Sequence, residues 1–235
     1  MPQPPRIVLV RPRNPLNIGA VARAMANFGF DELVVVDPHP PVWETARTSA
    51  LAGETVLLKA RSVATLDEAL AGCRRVAGTT AGQRRKLDRE TIPPAALRRR
   101  AGRGKLAIVF GSEKTGLGND ELSYCQLLVR IPTLASAPSM NLAQAVAVCC
   151  YEWTRSRVPA APKETAAPVD MLLRLLDIAT PILEASGFLE AGVRELNLRR
   201  LRRTLLNARL SPEDVELLTQ AARKIEYRLA RTPRV

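Results

Sequence analysis

Residues 14–24 read NPLNIGAVARA. The stretch has helical spacing, yet it spends Asn17 and Gly19 where stronger helix formers would fit, and it sets one arginine, Arg23, among alanines. At roughly 100° per residue, Ile18, Ala22, Met25 and Phe28 share one face, and Gly19, Arg23, Ala26 and Asn27 fall roughly opposite. A solvated face normally carries Lys and Glu. This one carries small residues around a single long cation, so it expects a close neighbour: a phosphate or ribose backbone, or another protein surface. Three further segments have the composition of ligand loops: GTTAG (78–82), GSEKTGLGN (111–119) and IPTLASAPSMN (131–141). Each follows an apolar, β-rich run, where open α/β sheets bind ligands. Their glycines and small hydroxyl residues let backbone groups approach a ligand closely. The second loop has neither a G-K-[S/T] ending nor a G-x-G-x-x-G pattern, which argues against a nucleoside triphosphate or a dinucleotide. Any one of the three alone is also compatible with an ordinary strand-to-helix turn.

The elements that must position these residues are legible in outline. RIVLV (6–10) and LVVVD (33–37) read as strands on either side of the NIGAVARAMANFGF helix, which ends near Gly29, a βαβ unit that calls for a parallel sheet. TLDEALAGC reads as a helix with Thr65 as its N-cap and Glu68 at the third position. Strands are expected in RVAGTTAG (75–82), ending near Ala77 where the segment breaks into its small-residue loop, in LAIVF and in LLVRIP, followed by a strongly apolar helix at 140–154. RSRVPAAPKETAAPVD is rich in Pro and Ala, has no period, and reads as a linker. Beyond it the chain reads as helical: roughly 168–186, 194–207, and a helix opened by SPED, with Ser211 capping and Pro212 at the first position. The expected organisation is an α/β domain over 1–157, a linker over 158–167 and a small all-helical domain over 168–235.

Composition narrows the function classes. The net charge is +12, from 35 basic against 23 acidic residues, which points to a polyanionic partner. Nine Lys and Arg against two acids lie between Arg84 and Lys105, and five Arg against one Glu lie in RELNLRRLRRT (194–204). Arg84, Arg85, Arg199, Arg200, Arg202 and Arg203 are therefore candidate phosphate contacts, and Leu196, Leu198, Leu201 and Leu205 would give the second helix an apolar side. Aromatics make up only 4% of the chain, so a folded RNA held by its backbone fits better than a single strand read by stacking. The four cysteines form no C-x-x-C pair and there is a single His, so no metal site is expected; Cys149 and Cys150, in an apolar helical run, read as core thiols. No apolar run approaches a membrane span, and the first residues lack the pattern of a secretory signal, so a cytoplasmic location and no membrane partner are expected.

Three segments together resemble a known family. NIGAVAR resembles the first motif of the SpoU branch of the SPOUT RNA methyltransferases, an Asn-x-Gly-x-x-x-Arg pattern. VFGSEKTGL looks like the second, and IPTLASAPSMNLAQAVAVCCYE like the third, with its Ser-x-Asn-Leu core at Ser139, Met140, Asn141 and Leu142. Met140 stands where Leu is commoner. The C-terminal extension, with GFLEAG and the Arg-rich stretch after it, is similar to that of the TrmJ-type tRNA 2'-O-methyltransferases.

The resemblance implies a SPOUT fold whose catalytic domain ends in a trefoil knot, S-adenosylmethionine bound in that knot, and a homodimer. It implies that Thr79, Thr80, Ala81, Gly111, Ile131, Pro138, Ser139, Met140 and Leu142 line the cofactor pocket. It places Asn17, Arg23, Glu113, Ser139 and Asn141 at the catalytic-motif positions, with Glu113 able to pair with Arg23. The implied reaction is methylation of a tRNA ribose 2'-hydroxyl, at anticodon-loop position 32. Arg23 is either the base or a cation holding the phosphate beside the target ribose, since a guanidinium ordinarily keeps its proton at neutral pH. Methylation of ribosomal RNA and a catalytically silent RNA-binding module are the alternatives; the second would require lost motif residues, and none is lost.

Overall fold

The computed structural model describes residues 3–38, 43–81, 89–155 and 166–231. The chain divides into two compact units, Met1–Glu164 and Thr165–Val235. The first is built on strands β1 (Arg6–Val10), β2 (Leu33–Val36), β3 (Arg61–Val63), β4 (Arg75–Thr79), β5 (Thr91–Ile92), β6 (Leu106–Phe110) and β7 (Leu127–Val129). They form one seven-stranded sheet in the order β3-β2-β1-β6-β4-β7-β5, and every neighbouring pair is parallel. The central strands β1, β2 and β6 are continuous apolar runs, buried along their whole length as a sheet covered on both faces requires.

Helix α1 (Pro15–Asn27) follows β1. The Asn14 side chain accepts from the Leu16 N–H, Pro15 takes the first turn, and Gly29 (φ +73°) supplies the left-handed exit. Helices α2 (Trp43–Ala50), α3 (Glu54–Lys59), α4 (Leu66–Leu70), α5 (Leu97–Arg100) and α6 (Asn119–Ser123) complete the connections. Thr65 caps α4 by accepting from the Glu68 N–H. Helix α7 (Leu142–Arg155) begins two residues later than its apolar pattern suggests, because Asn141 caps it: its side-chain oxygen accepts from the Ala143 N–H at 2.9 Å. Ile18, Val21 and Met25 of α1 share the core with Val146, Cys149, Cys150 and Trp153 of α7. Burial pushes the Cys149 thiol up to about 12 and the Cys150 thiol to a still higher value, so both are inert packing groups.

The second unit holds α8 (Val169–Ala185), α9 (Arg194–Asn207) and α10 (Pro212–Leu229). Helix α10 is opened by a reciprocal capping box between Ser211 and Asp214 and packs on α8 through Val215 and Ala222, both buried. No helix among the described residues is long and apolar enough to cross a membrane.

Candidate functional site

The carboxyl ends of β6, β4 and β7, adjacent in the sheet, open into the three loops picked out by composition, and the loops close around one cavity of about 630 Å³. Thr79, Thr80, Ala81, Gly111, Ile131, Pro138, Ser139, Met140 and Leu142 all line it. The Thr79 hydroxyl donates to the Val109 carbonyl at 3.1 Å and the Thr80 N–H to the Val129 carbonyl at 3.0 Å, so the first loop is tied to both neighbouring strands. The Thr133 hydroxyl donates to the Pro138 carbonyl at 3.2 Å, which closes the third loop on itself. Composition did not single out Phe110, Leu122 and Val129, which with Leu117 of the second loop give the cavity its apolar wall. Phe110 and Val129 are the last residues of their strands, and that position is the signal by which they could have been found.

Gly111 needs correction in its physical reason. A Cβ there would lie 2.1 Å from the Gly116 carbonyl carbon and 2.3 Å from the Leu117 nitrogen. The loop doubles back on its own first residue, with the Gly116 N–H donating to the Ser112 carbonyl at 2.7 Å and Gly116 at φ +66°. The glycine makes room for the loop itself, not directly for a ligand. Gly19 needs a larger correction. Its absent side chain is where α2 packs: a Cβ would lie 1.9 Å from the Ala46 carbonyl oxygen. Gly19 and Ala24 are buried, so they are not part of an open face awaiting a partner.

At the rim of the cavity three polar side chains are joined. The Glu113 carboxylate accepts from the Asn17 amide at 2.7 Å and from the backbone N–H groups of Arg13 (2.9 Å) and Asn14 (3.4 Å). Burial works to raise the Glu113 carboxyl, but these hydrogen bonds outweigh it and hold the group below the ordinary carboxylate value. The Asn141 amide donates in turn to the Asn17 side-chain oxygen at 3.1 Å. A carboxylate can only accept, so it orients the Asn17 amide, and Asn17 orients Asn141. Glu113 and Ser139 line the cavity itself.

The expected pairing of Glu113 with Arg23 is not formed, because Asn17 and the two N–H groups occupy the carboxylate. Arg23 lies about 9 Å further along α1. It is exposed, does not line the cavity, and has no hydrogen-bond or ion-pair partner among the described residues. The structure therefore brings Asn17, Glu113, Ser139 and Asn141 together and leaves Arg23 apart.

The candidate phosphate contacts divide. Arg84 and Arg85 lie outside the described residues. On α9, Arg200 is exposed, whereas Arg199, Arg202 and Arg203 are half-buried because they share a helical face with the buried Leu206. Leu196, expected on the apolar side, is exposed. Part of the 84–105 cluster is engaged within the fold: Arg98 donates to the Trp153 carbonyl, Arg100 pairs with Glu90, and Lys105 pairs with Glu32.

Residues 4–151 match the SpoU rRNA methylase family. Over 230 residues, 96% of this chain and 86% of the relative, the sequence is 36% identical to a tRNA (cytidine/uridine/adenosine-2'-O-)-methyltransferase TrmJ of Pseudomonas aeruginosa. It is 36% identical over 239 residues to the tRNA (cytidine/uridine-2'-O-)-methyltransferase TrmJ of Klebsiella pneumoniae, covering 94% of this chain and 96% of that one. Among solved structures, TrmJ from Z. mobilis ZM4 superposes with a TM-score of 0.86 at 30% identity, over 95% of this chain and 99% of the other.

Proposed function

The chain belongs to the SpoU rRNA methylase family, and on that premise we propose that it methylates a ribose 2'-hydroxyl of tRNA with S-adenosylmethionine as donor. The observation that carries the reading is the closure of three strand-end loops on one cavity with the Glu113–Asn17–Asn141 chain at its rim. The residues present fit the donor: Phe110, Leu117, Leu122 and Val129 offer an apolar wall to a purine, and Thr79, Thr80, Ser139 and the loop backbone offer hydrogen-bonding groups to a ribose and an amino-acid end. When bound, S-adenosylmethionine supplies a methyl group already activated on a sulfonium. What remains for the protein is to hold the hydroxyl in line and to see its proton removed.

Asn17 and Asn141, their amide orientations set by Glu113, point the rim's hydrogen-bonding groups. Arg23, exposed and without a partner among the described residues, is free to meet the RNA, as proton acceptor or as clamp on the phosphate beside the target ribose. Its distance from its own cavity fits a homodimer in which each α1 completes the site of the partner. The exposed Leu16 and Tyr151 supply apolar area for such an interface, on the two helices that pack together in the core. The remaining parts of the proposal are a trefoil knot at the end of the catalytic domain (1–157), an RNA-gripping helical domain (168–235) joined by the 158–167 linker, and a cytoplasmic site of action. The end-to-end likeness to tRNA methyltransferases favours tRNA over ribosomal RNA; position 32 of the anticodon loop comes from the motif resemblance alone.

Methyl-labelled cofactor incubated with bulk tRNA and with ribosomal RNA, followed by mapping of the labelled nucleotide, tests the reading. A 2'-O-methylated residue at position 32 of tRNA is expected; label confined to ribosomal RNA would overturn the substrate. Replacing Arg199, Arg200, Arg202 and Arg203 with Ala tests the helical domain. It should leave cofactor affinity intact and flatten the dependence of log K for tRNA on log salt by roughly one unit for each phosphate that is no longer neutralised.

A further inference from the structure

Arg11, the residue just past β1, sits at φ +47°, a backbone conformation that glycine adopts freely and arginine does not. Its N–H continues the β1–β2 ladder by donating to the Val36 carbonyl at 2.9 Å. Any residue could make that bond, and Gly would make it without strain. What only Arg supplies is the side chain, and its guanidinium pairs with the carboxylate of Glu121. Glu121 is a buried acid, 8% exposed, in the first turn of α6. Its other oxygen accepts from the Gly118 N–H at 2.5 Å, where the 111–118 loop ends. Seven residues earlier, Gly111 is pressed against Gly116 and Leu117.

We propose that Arg11 and Glu121 are positioning residues for the cofactor loop. The loop is tied to the β1–α1 connection at both ends: Glu113 near its start takes the N–H groups of Arg13 and Asn14, and Glu121 at its finish takes Arg11. The strained backbone at Arg11 is kept for the sake of the side chain. With the guanidinium gone, Glu121 keeps only the Gly118 N–H, and the loop end that bears Leu117 and Gly116 on the cavity is no longer tied to β1. This inference rests on the reading that the cavity holds S-adenosylmethionine.

The full-length protein with R11G isolates the effect, because glycine relieves the backbone while deleting only the side chain. R11K, which restores a cation, and E121Q, which still accepts from Gly118 but lacks charge, complete the set. In the absence of cofactor, amide exchange over residues 111–118 should speed up in R11G and E121Q, with melting temperature near the parent's in R11G. S-adenosylhomocysteine should bind about tenfold more weakly in calorimetry, and the KM for S-adenosylmethionine should rise while kcat at saturation holds. R11K should recover most of both effects. Exchange at the parent rate in R11G overturns the proposal, as does a fall in melting temperature with unchanged cofactor affinity. If the parent protein itself fails to bind S-adenosylhomocysteine, the cofactor reading falls, and the exchange comparison alone still decides the positioning role.

Discussion

The two ends of β1 both carry an arginine paired with a glutamate, and they are built to opposite purposes. At the amino end Arg6 is 8% exposed and its bonds go to fixed structure: Nε to Glu32 at 2.5 Å, and Nη1 to the Ala69 and Ala71 carbonyls at 2.7 and 2.8 Å. Glu32 also pairs with Lys105. At the carboxyl end, Glu113 and Glu121 accept from backbone N–H groups of connecting loops and from Asn17 and Arg11. The first cluster closes the sheet; the second holds loops in shape around a space. One strand thus separates a stabilising end from a ligand end, and the loops, not the strands, supply the lining.

The sharpest break in that contrast comes from Arg23. Unlike Arg6 it has no internal partner among the described residues, so Arg23→Ala should cost little stability. Single-turnover methylation should fall about 100-fold or more, with tRNA affinity largely kept. Next in size is Gly111→Ala. Its methyl group would strike the Gly116–Leu117 backbone, so calorimetric binding of S-adenosylhomocysteine should weaken by about 100-fold, more than Arg11→Gly produces.

At the closed end the effect moves from affinity to stability. Glu32→Gln should lower the unfolding free energy by about 1–2 kcal/mol in denaturant titration and leave cofactor affinity untouched. The smallest effect is its pH dependence. Burial works to raise the Glu32 carboxyl, and hydrogen bonds from Lys105 and Arg6 more than offset it, so the folded-state value is lowered. Below the unfolded value of about 4.3 the unfolded chain binds more protons, and the stabilisation drains away as pH falls through the folded value. The gap between parent and Glu32→Gln should hold steady from neutral pH to about 5 and close below about 4.

The legible and illegible parts of the molecule differ for a physical reason. Strands β1, β2 and β6, the caps at Thr65 and Ser211, and the three loops were readable because period, capping chemistry and glycine content are local signals. Strands β3 and β5 were not, being three and two residues long and drawing their order from the partner strand. Helix α2, with few apolar residues, was missed as well, and with it the reason for Gly19, which is a contact with Ala46 across the chain. The nine lining positions came from a resemblance in motif order. The chain Glu113–Asn17–Asn141, joining residues 96 and 124 apart, needed coordinates, and so did the displacement of Arg23 from it.

The claim that the carboxyl end of the sheet is the ligand end has one direct test: titration of isotope-labelled protein with S-adenosylhomocysteine, followed through backbone amide shifts. The amides of residues 79–81, 111–117 and 131–142 should move together and saturate at one affinity, while those beside Arg6, Glu32 and Lys105 stay in place. Shifts centred on the Arg6–Glu32 end, or saturable binding that leaves the three loops unmoved, would contradict it.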